Sequence, residues 1–86
     1  MTHSEAYNLA RHKARYGHRS WIVYDNKQGE SFAEAMNADS LKKAMLATGT
    51  QGIFLIIGPK RGEDDLCRWW MANNIRRQFL KGWRNA

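Results

Sequence analysis

Cysteine and proline are nearly absent from this 86-residue sequence, which holds one of each. The single Cys67 has no second cysteine to pair with, so an internal disulfide is excluded, and with it a secreted fold held together by disulfides. The longest apolar run, Ile53–Ile57, is far shorter than the roughly 20 residues of a membrane-spanning helix. The first residues also lack the basic and apolar segments of a signal peptide. We therefore expect a cytoplasmic protein that does not enter a membrane.

Patterns that bind metals or cofactors are missing as well. The histidines do not have the spacing of a zinc module, and the glycine-bounded loop at residues 58–62 lacks the spacing of a nucleotide-binding loop. The acids that follow this loop, Glu63, Asp64 and Asp65, would repel a phosphate, and we assign them to the positive end of a helix dipole. Cys67 has no neighbouring histidine to activate its thiol. The sequence thus predicts no metal, no cofactor and no enzymatic activity.

Large apolar side chains, by contrast, are plentiful. Hydrophobic residues make up 43% of the chain and include four Trp, three Tyr and three Phe. A chain of this length buries only about 60–65% of its unfolded surface, so it supports one core, and we expect a single domain over residues 1–86. So many aromatic rings in so small a domain also keep a homodimer as an alternative, because a dimer would bury the surplus apolar surface.

The chain begins with the pattern of a capped helix. Thr2 and Glu5 have the spacing of a capping box, in which each side chain binds a backbone N–H of the other residue. Residues 5–16 are mostly good helix formers, and Gly17 is a natural end for a helix. We therefore predict a first helix over residues 5–16.

A β-hairpin is predicted next. Residues 21–24 are aromatic and β-branched, as is typical of a strand, and residues 25–29 form a cluster of turn residues. Residues 31–36 fit two interpretations, because a hairpin requires a second strand there, whereas Ser31 and Glu34 have the spacing of another capping box. We favour the strand; a helix there would reduce the sheet to two strands.

The sequence of the second half of the chain predicts a helix, then a strand and then a long final helix. Asp39 is a candidate N-cap for a helix that ends at Gly49. Ile53–Ile57 shows no alternation, which indicates a strand buried on both faces. The pattern from residue 63 to about residue 84 contains no helix breaker. These elements predict an α+β domain of order α-β-β-α-β-α, in which helices cover a three-stranded antiparallel sheet with the second strand at one edge and the first in the middle.

Positive charge is concentrated at the two ends of the sequence. The net charge of +6 is a weak indication of a polyanionic partner. Residues 1–19 contain four cationic side chains and one acid, Glu5; the cations are Arg11, Lys13, Arg15 and Arg19. Near the end, no acid follows residue 65, and the cations are Arg68, Arg76, Arg77, Lys81 and Arg84. We predict phosphate contacts by the first cluster; the alternative is a solvated helix face.

The final predicted helix would combine charge with an aromatic ring on one side. That side would carry Trp70, Asn74, Arg77, Lys81 and, at its edge, Arg84. A planar ring beside cations suits unpaired bases, since the ring stacks on a base while the cations meet phosphates. The alternative is that Trp70 packs against the first helix while the cations face solvent.

Two functional hypotheses follow. The first is a non-enzymatic accessory protein that binds nucleic acid, either DNA or RNA, through these basic and aromatic residues. The second is a small phage-type or plasmid-type protein that docks on a host protein and inhibits or modulates it, because Trp and Arg are also enriched in protein interfaces.

Overall fold

A computed structural model describes residues 1–49 and 52–68 of the chain. These residues form two helices and four strands, which confirms the predicted α+β class. The elements are α1 (His3–Gly17), β1 (Trp21–Asp25), β2 (Ser31–Ala35), α2 (Ala38–Thr48), β3 (Ile53–Ile57) and β4 (Asp65–Arg68).

The four strands form one antiparallel sheet in the order β2-β1-β3-β4. The prediction of strand over helix at residues 31–36 is confirmed, and so is the position of β1 between β2 and β3. The predicted number of three strands is wrong, because β4 pairs with β3, with Leu66 opposite Leu55. This fourth strand makes β3 an inner strand, with a hydrogen-bonded neighbour on each side.

The prediction of a helix from residue 63 onward is also wrong for residues 65–68, which form β4. Backbone pairing with β3 is a tertiary interaction that local helix propensity does not register. The acid at residue 63 has a different role from the predicted one, because Glu63 Oε2 accepts a hydrogen bond from the Lys60 backbone N–H at 3.1 Å within the β3–β4 turn. The remainder of the predicted helix, residues 69–84, lies outside the described residues.

The two helices pack on opposite faces of the sheet. Side chains alternate between the faces along β1, so that Val23 packs with α1 while Ile22 packs with α2. The core on the α1 side consists of Ala6, Ala10, Ala14, Val23 and Ile57. The core on the α2 side consists of Ile22, Tyr24, Leu41, Ala44, Met45 and Phe54.

The ends of both helices are capped by side chains. Thr2 and Glu5 form the predicted capping box at the start of α1, whose C-cap is His18 with a φ of 52°, one residue beyond the predicted stop. The predicted N-cap of α2, Asp39, is wrong. Asn37 holds that position and accepts a hydrogen bond from the Ser40 backbone N–H at 2.8 Å, because its extended backbone directs the side chain over the first turn.

The outer edge of β2 is partly closed by hydrogen bonds from outside the sheet. The Ser31 backbone N–H donates to the Met1 carbonyl at 3.1 Å, and the Ser40 hydroxyl donates to the Ala35 carbonyl at 2.7 Å. An unpaired strand edge is a template for pairing with another chain. These two contacts therefore leave β2 poorly suited to extend the sheet into a second copy.

Candidate functional site

The position of the basic side chains on α1 follows from its alanine face. Ala6, Ala10 and Ala14 are spaced four residues apart and are fully buried against the sheet. Arg11 and Arg15 are also four residues apart, and they share one flank of the helix beside this face. The small alanines bring the helix backbone close to the sheet, and this leaves the long arginine side chains at the helix margin.

The β3–β4 loop brings a third arginine to this flank. Arg61 lies in the turn between β3 and β4, and together with Arg11 and Arg15 it lines a groove of about 340 Å³ between α1 and the loop. The other described residues that line the groove are Tyr7, Gly62 and Asp64. We call this the arginine groove. The three guanidinium groups and one carboxylate among these described residues give the groove a net charge of +2.

Asp64 connects the β3–β4 loop to α1 through two hydrogen bonds. Its Oδ1 accepts a hydrogen bond from Arg15 Nη2 at 3.2 Å, and its Oδ2 accepts one from the Tyr7 hydroxyl at 3.3 Å. A single carboxylate thereby connects two positions of α1, two helical turns apart, to the loop that carries Arg61. These contacts fix the width of the arginine groove.

The two acids on either side of Asp64 do not line the groove. Glu63 closes the turn through its hydrogen bond with the Lys60 backbone, and a Cβ at Gly58 would overlap the Glu63 side chain, so the loop requires glycine there. Asp65 lies on the α2 side of β4, where Cys67 Sγ is 3.9 Å from its Oδ2. The three consecutive acids therefore point in different directions, and only Asp64 offsets the positive charge of the groove.

Two of the three guanidinium nitrogens of Arg15 have no hydrogen-bond acceptor within the described residues. Its Nη2 contacts Asp64, but its Nε and Nη1 are buried and have no hydrogen-bond partner within the described residues. A buried N–H without an acceptor is unfavourable by about 1–3 kcal/mol. An acceptor that entered the groove and met these donors would recover that free energy.

Two aromatic rings lie on the outer surface of α1 next to the same arginines. His12 and Tyr16 stack with ring centroids 5.9 Å apart and an interplanar angle of 15°. Tyr16 is 83% exposed, so it contributes nothing to the core. A shallow depression of about 490 Å³ is lined by Asn8, Arg11, His12, Arg15 and Tyr16. We call the surface formed by these five residues the α1 surface. Because Arg11 and Arg15 line both the depression and the groove, the two are adjacent.

The structure thus separates the cations that the sequence grouped together. Arg11 and Arg15 lie side by side, whereas Lys13 is about 160° around the helix from Arg11. Arg19 follows the end of α1, where its Nη2 donates to the Met36 carbonyl at 3.4 Å. The predicted residues Trp70, Asn74, Arg77, Lys81 and Arg84 lie outside the described residues. Sequence reasoning missed Arg61, whose proximity to α1 depends on the β3–β4 turn.

Cys67 on β4 is a half-buried free cysteine. Burial raises the pKa of the Cys67 thiol, and the nearby carboxylate of Asp65 raises it further, so the thiolate is disfavoured at neutral pH. No group of three His, Cys, Asp or Glu side chains is arranged to hold a metal ion in the part of the chain that the structure describes. A search over the same residues finds no helix with the length and apolar character needed to cross a membrane.

Comparison with models of protein families, with curated proteins and with solved structures finds no match. The α1 surface and the arginine groove are therefore the features from which a function is inferred.

Proposed function

We propose that the protein binds single-stranded nucleic acid through the α1 surface, without catalysing a reaction. The observation that carries this proposal is the exposed stack of His12 and Tyr16 beside Arg11 and Arg15 on α1. Every base has a planar face that can stack on an aromatic ring, while arginines neutralise the phosphates on either side. A duplex hides those faces, so unpaired strands are the better ligand.

The high exposure of Tyr16 supports a role in binding. A tyrosine this exposed gains little from folding, because its ring is removed from water by neither the sheet nor the helices of the described part of the chain. Stacking on one base is worth roughly 1–3 kcal/mol in affinity. The ring is also pre-positioned by His12, one turn earlier on a capped helix, so little side-chain entropy remains to be lost on binding.

The test is fluorescence anisotropy with a labelled 20-nucleotide single strand of mixed sequence, as DNA and as RNA, and with the matching duplex. We expect the single strands to bind more tightly and the affinity to fall steeply with salt, by about 0.7 in log K per phosphate contact for each unit of log salt. Tyr16→Ala should weaken binding about tenfold. Leu46→Ala removes an exposed apolar side chain from α2, on the other face of the sheet, and serves as the matched control.

Absent or salt-insensitive binding to both DNA and RNA would overturn the proposal. The alternative of docking on a protein is favoured by one feature, the exposure of Ile53 (49%) and Leu66 (57%) on the α1 side of the sheet beyond the helix. Co-purification of one defined protein at moderate salt, without nucleic acid and with loss of that protein in Leu66→Ser, would support this alternative.

A further inference from the structure

We propose that the arginine groove binds a terminal phosphate of a nucleic-acid strand, so that the protein recognises a strand end. This inference rests on the proposed function and adds a specificity to it. The groove is formed by two separate parts of the chain, with Arg11 and Arg15 on α1 and Arg61 on the β3–β4 loop.

The charge of the groove favours a terminal phosphate over an internal one. A phosphate monoester carries a charge of about −1.5 to −2 at neutral pH, whereas a phosphodiester within a strand carries −1. The net charge of the groove is +2, because Asp64 offsets one of the three arginines. Guanidinium groups also bind phosphate oxygens through paired N–H donors, which a monoester with three terminal oxygens accommodates best.

The N–H donors of Arg15 that are unpaired within the described residues also favour a phosphate as the ligand of the groove. The buried Nε and Nη1 of Arg15 have no acceptor within the described residues, and they belong to a side chain that lines the groove. Because these two nitrogens are buried, the Arg15 side chain must turn before a phosphate in the groove can accept hydrogen bonds from them, whereas its Nη2 is already held by Asp64. The volume of about 340 Å³ falls within the range of about 300–1,000 Å³ that is usual for small-ligand sites.

The position of the groove suits the end of a strand. Arg11 and Arg15 line both the groove and the depression that contains His12 and Tyr16. A strand whose terminal phosphate lies in the groove would therefore have its first bases next to the stacked rings. The phosphate is closed in on two sides, by α1 and by the loop, whereas the α1 surface is open for the rest of the strand.

The experiment compares oligonucleotides of identical sequence that carry a 5′-phosphate, a 3′-phosphate or hydroxyls at both ends. We expect one of the two phosphorylated strands to bind wild-type protein about tenfold more tightly than the hydroxyl strand, since hydrogen bonds to charged groups are worth about 1.5–3 kcal/mol. Arg61→Ala should reduce this ratio to near one. Lys60→Ala removes a cation from the adjacent loop position, which does not line the groove, and should leave the ratio unchanged.

A second pair of variants tests the role of the carboxylate. Asp64→Asn removes the negative charge that Asp64 contributes to the groove and keeps one of its two acceptor oxygens, so that one of the two contacts, with the Tyr7 hydroxyl or with Arg15 Nη2, retains its acceptor. The preference for the phosphorylated strand should therefore increase several-fold. Asp65→Asn makes the same change of charge on the other face of the sheet and should not alter the preference. Circular dichroism melts of both variants check that the fold is retained.

The outcomes separate this inference from the function on which it rests. Equal binding of all three strands by the wild-type protein would overturn the terminal-phosphate site and leave nucleic-acid binding standing. Failure to bind any strand would overturn both. If a nucleoside monophosphate perturbs the NMR signals of the groove residues while phosphorylated strands gain no affinity, the site serves free nucleotides and the strand-end proposal is overturned.

Discussion

Tyr24 shows how a buried polar group is accommodated in the core. Its hydroxyl donates to Glu34 Oε2 at 3.1 Å, and its ring stacks on Phe32 with centroids 5.4 Å apart. Burial, together with the nearby Glu34 carboxylate, raises the pKa of Tyr24 to about 12. The phenol can ionise in the unfolded chain near pH 10 but resists ionisation in the folded one.

This shift predicts a loss of stability at alkaline pH. The folded-state pKa lies above the unfolded value, so the contribution of Tyr24 is complete below pH 10 and is lost as pH rises toward 12. Urea denaturation at a series of pH values should show the free energy of unfolding declining across this window. Glu34→Gln should lower the pKa of Tyr24 in an absorbance titration of tyrosinate. Glu30→Gln, in the exposed hairpin turn, is the matched control, and an equal effect of both variants would contradict the assignment.

The N-cap of α2 provides a second test at the residue scale. Asn37 and Ser40 exchange hydrogen bonds between each side chain and the backbone N–H of the other residue, at 2.8 and 2.9 Å. Asn37→Ala should lower the free energy of unfolding by about 1 kcal/mol, the usual value of an N-cap. Asp39→Ala should lower it by only a few tenths, because Asp39 contributes through the helix dipole alone. Urea denaturation distinguishes the two, and the reverse ranking would show that Asp39 is the cap.

At the scale of elements, patterns among neighbouring residues were sufficient to predict α1, the β1–β2 hairpin and β3. The Thr2 and Glu5 capping box predicted α1, and the turn residues before β2 predicted the hairpin, in which Asn26 Oδ1 accepts from two backbone N–H groups of the turn. β3 was evident because Ile53–Ile57 is continuously apolar. Each of these signals acts within a few residues, so the sequence alone is enough to identify it.

β4 could not be predicted in the same way. Asp65–Arg68 is only four residues long, has a charged residue at each end and follows acids that resemble the start of a helix. Its strand conformation depends on pairing with β3, and the sequence contains no sign of that pairing. The same turn that creates β4 carries Arg61 to α1, so the missed strand and the missed residue of the arginine groove have one cause. Arg11 and Arg15 were predicted because helical spacing alone places them together.

The alanine face of α1 leads to a prediction about packing. Ala6, Ala10 and Ala14 replace the larger apolar side chains that a helix of this length usually buries, so the helix lies close to the sheet. Ala10→Leu should therefore lower the free energy of unfolding by about 1–3 kcal/mol through overpacking. Asn8→Leu introduces the same side chain at an exposed position and should change stability by less than about 0.5 kcal/mol. Thermal and urea denaturation measure both, and equal effects would contradict close packing at Ala10.

At the scale of the whole molecule, charge is distributed unevenly along the chain. All eight acids lie within residues 1–65, so residues 1–68, with ten Lys and Arg, carry a net charge of +2. The last 18 residues carry the remaining +4 without an acid. Long-range attraction to a polyanion depends on this total, whereas affinity at close range depends on which cations reach phosphates. The two contributions can be separated by changing equal numbers of charges in different places.

Two variants, each with four substitutions, allow that comparison. Replacing Arg76, Arg77, Lys81 and Arg84 together by Gln lowers the net charge by four, and so does replacing Lys27, Lys42, Lys43 and Lys60 by Gln. If the final segment binds the strand, the first variant should reduce the slope of log K against log salt by about 0.7 for each phosphate that is no longer neutralised, approaching 3 in all. The second variant changes cations that line neither the α1 surface nor the arginine groove, and its slope should fall by less than about 1. Equal reductions would show that the final segment acts through net charge alone.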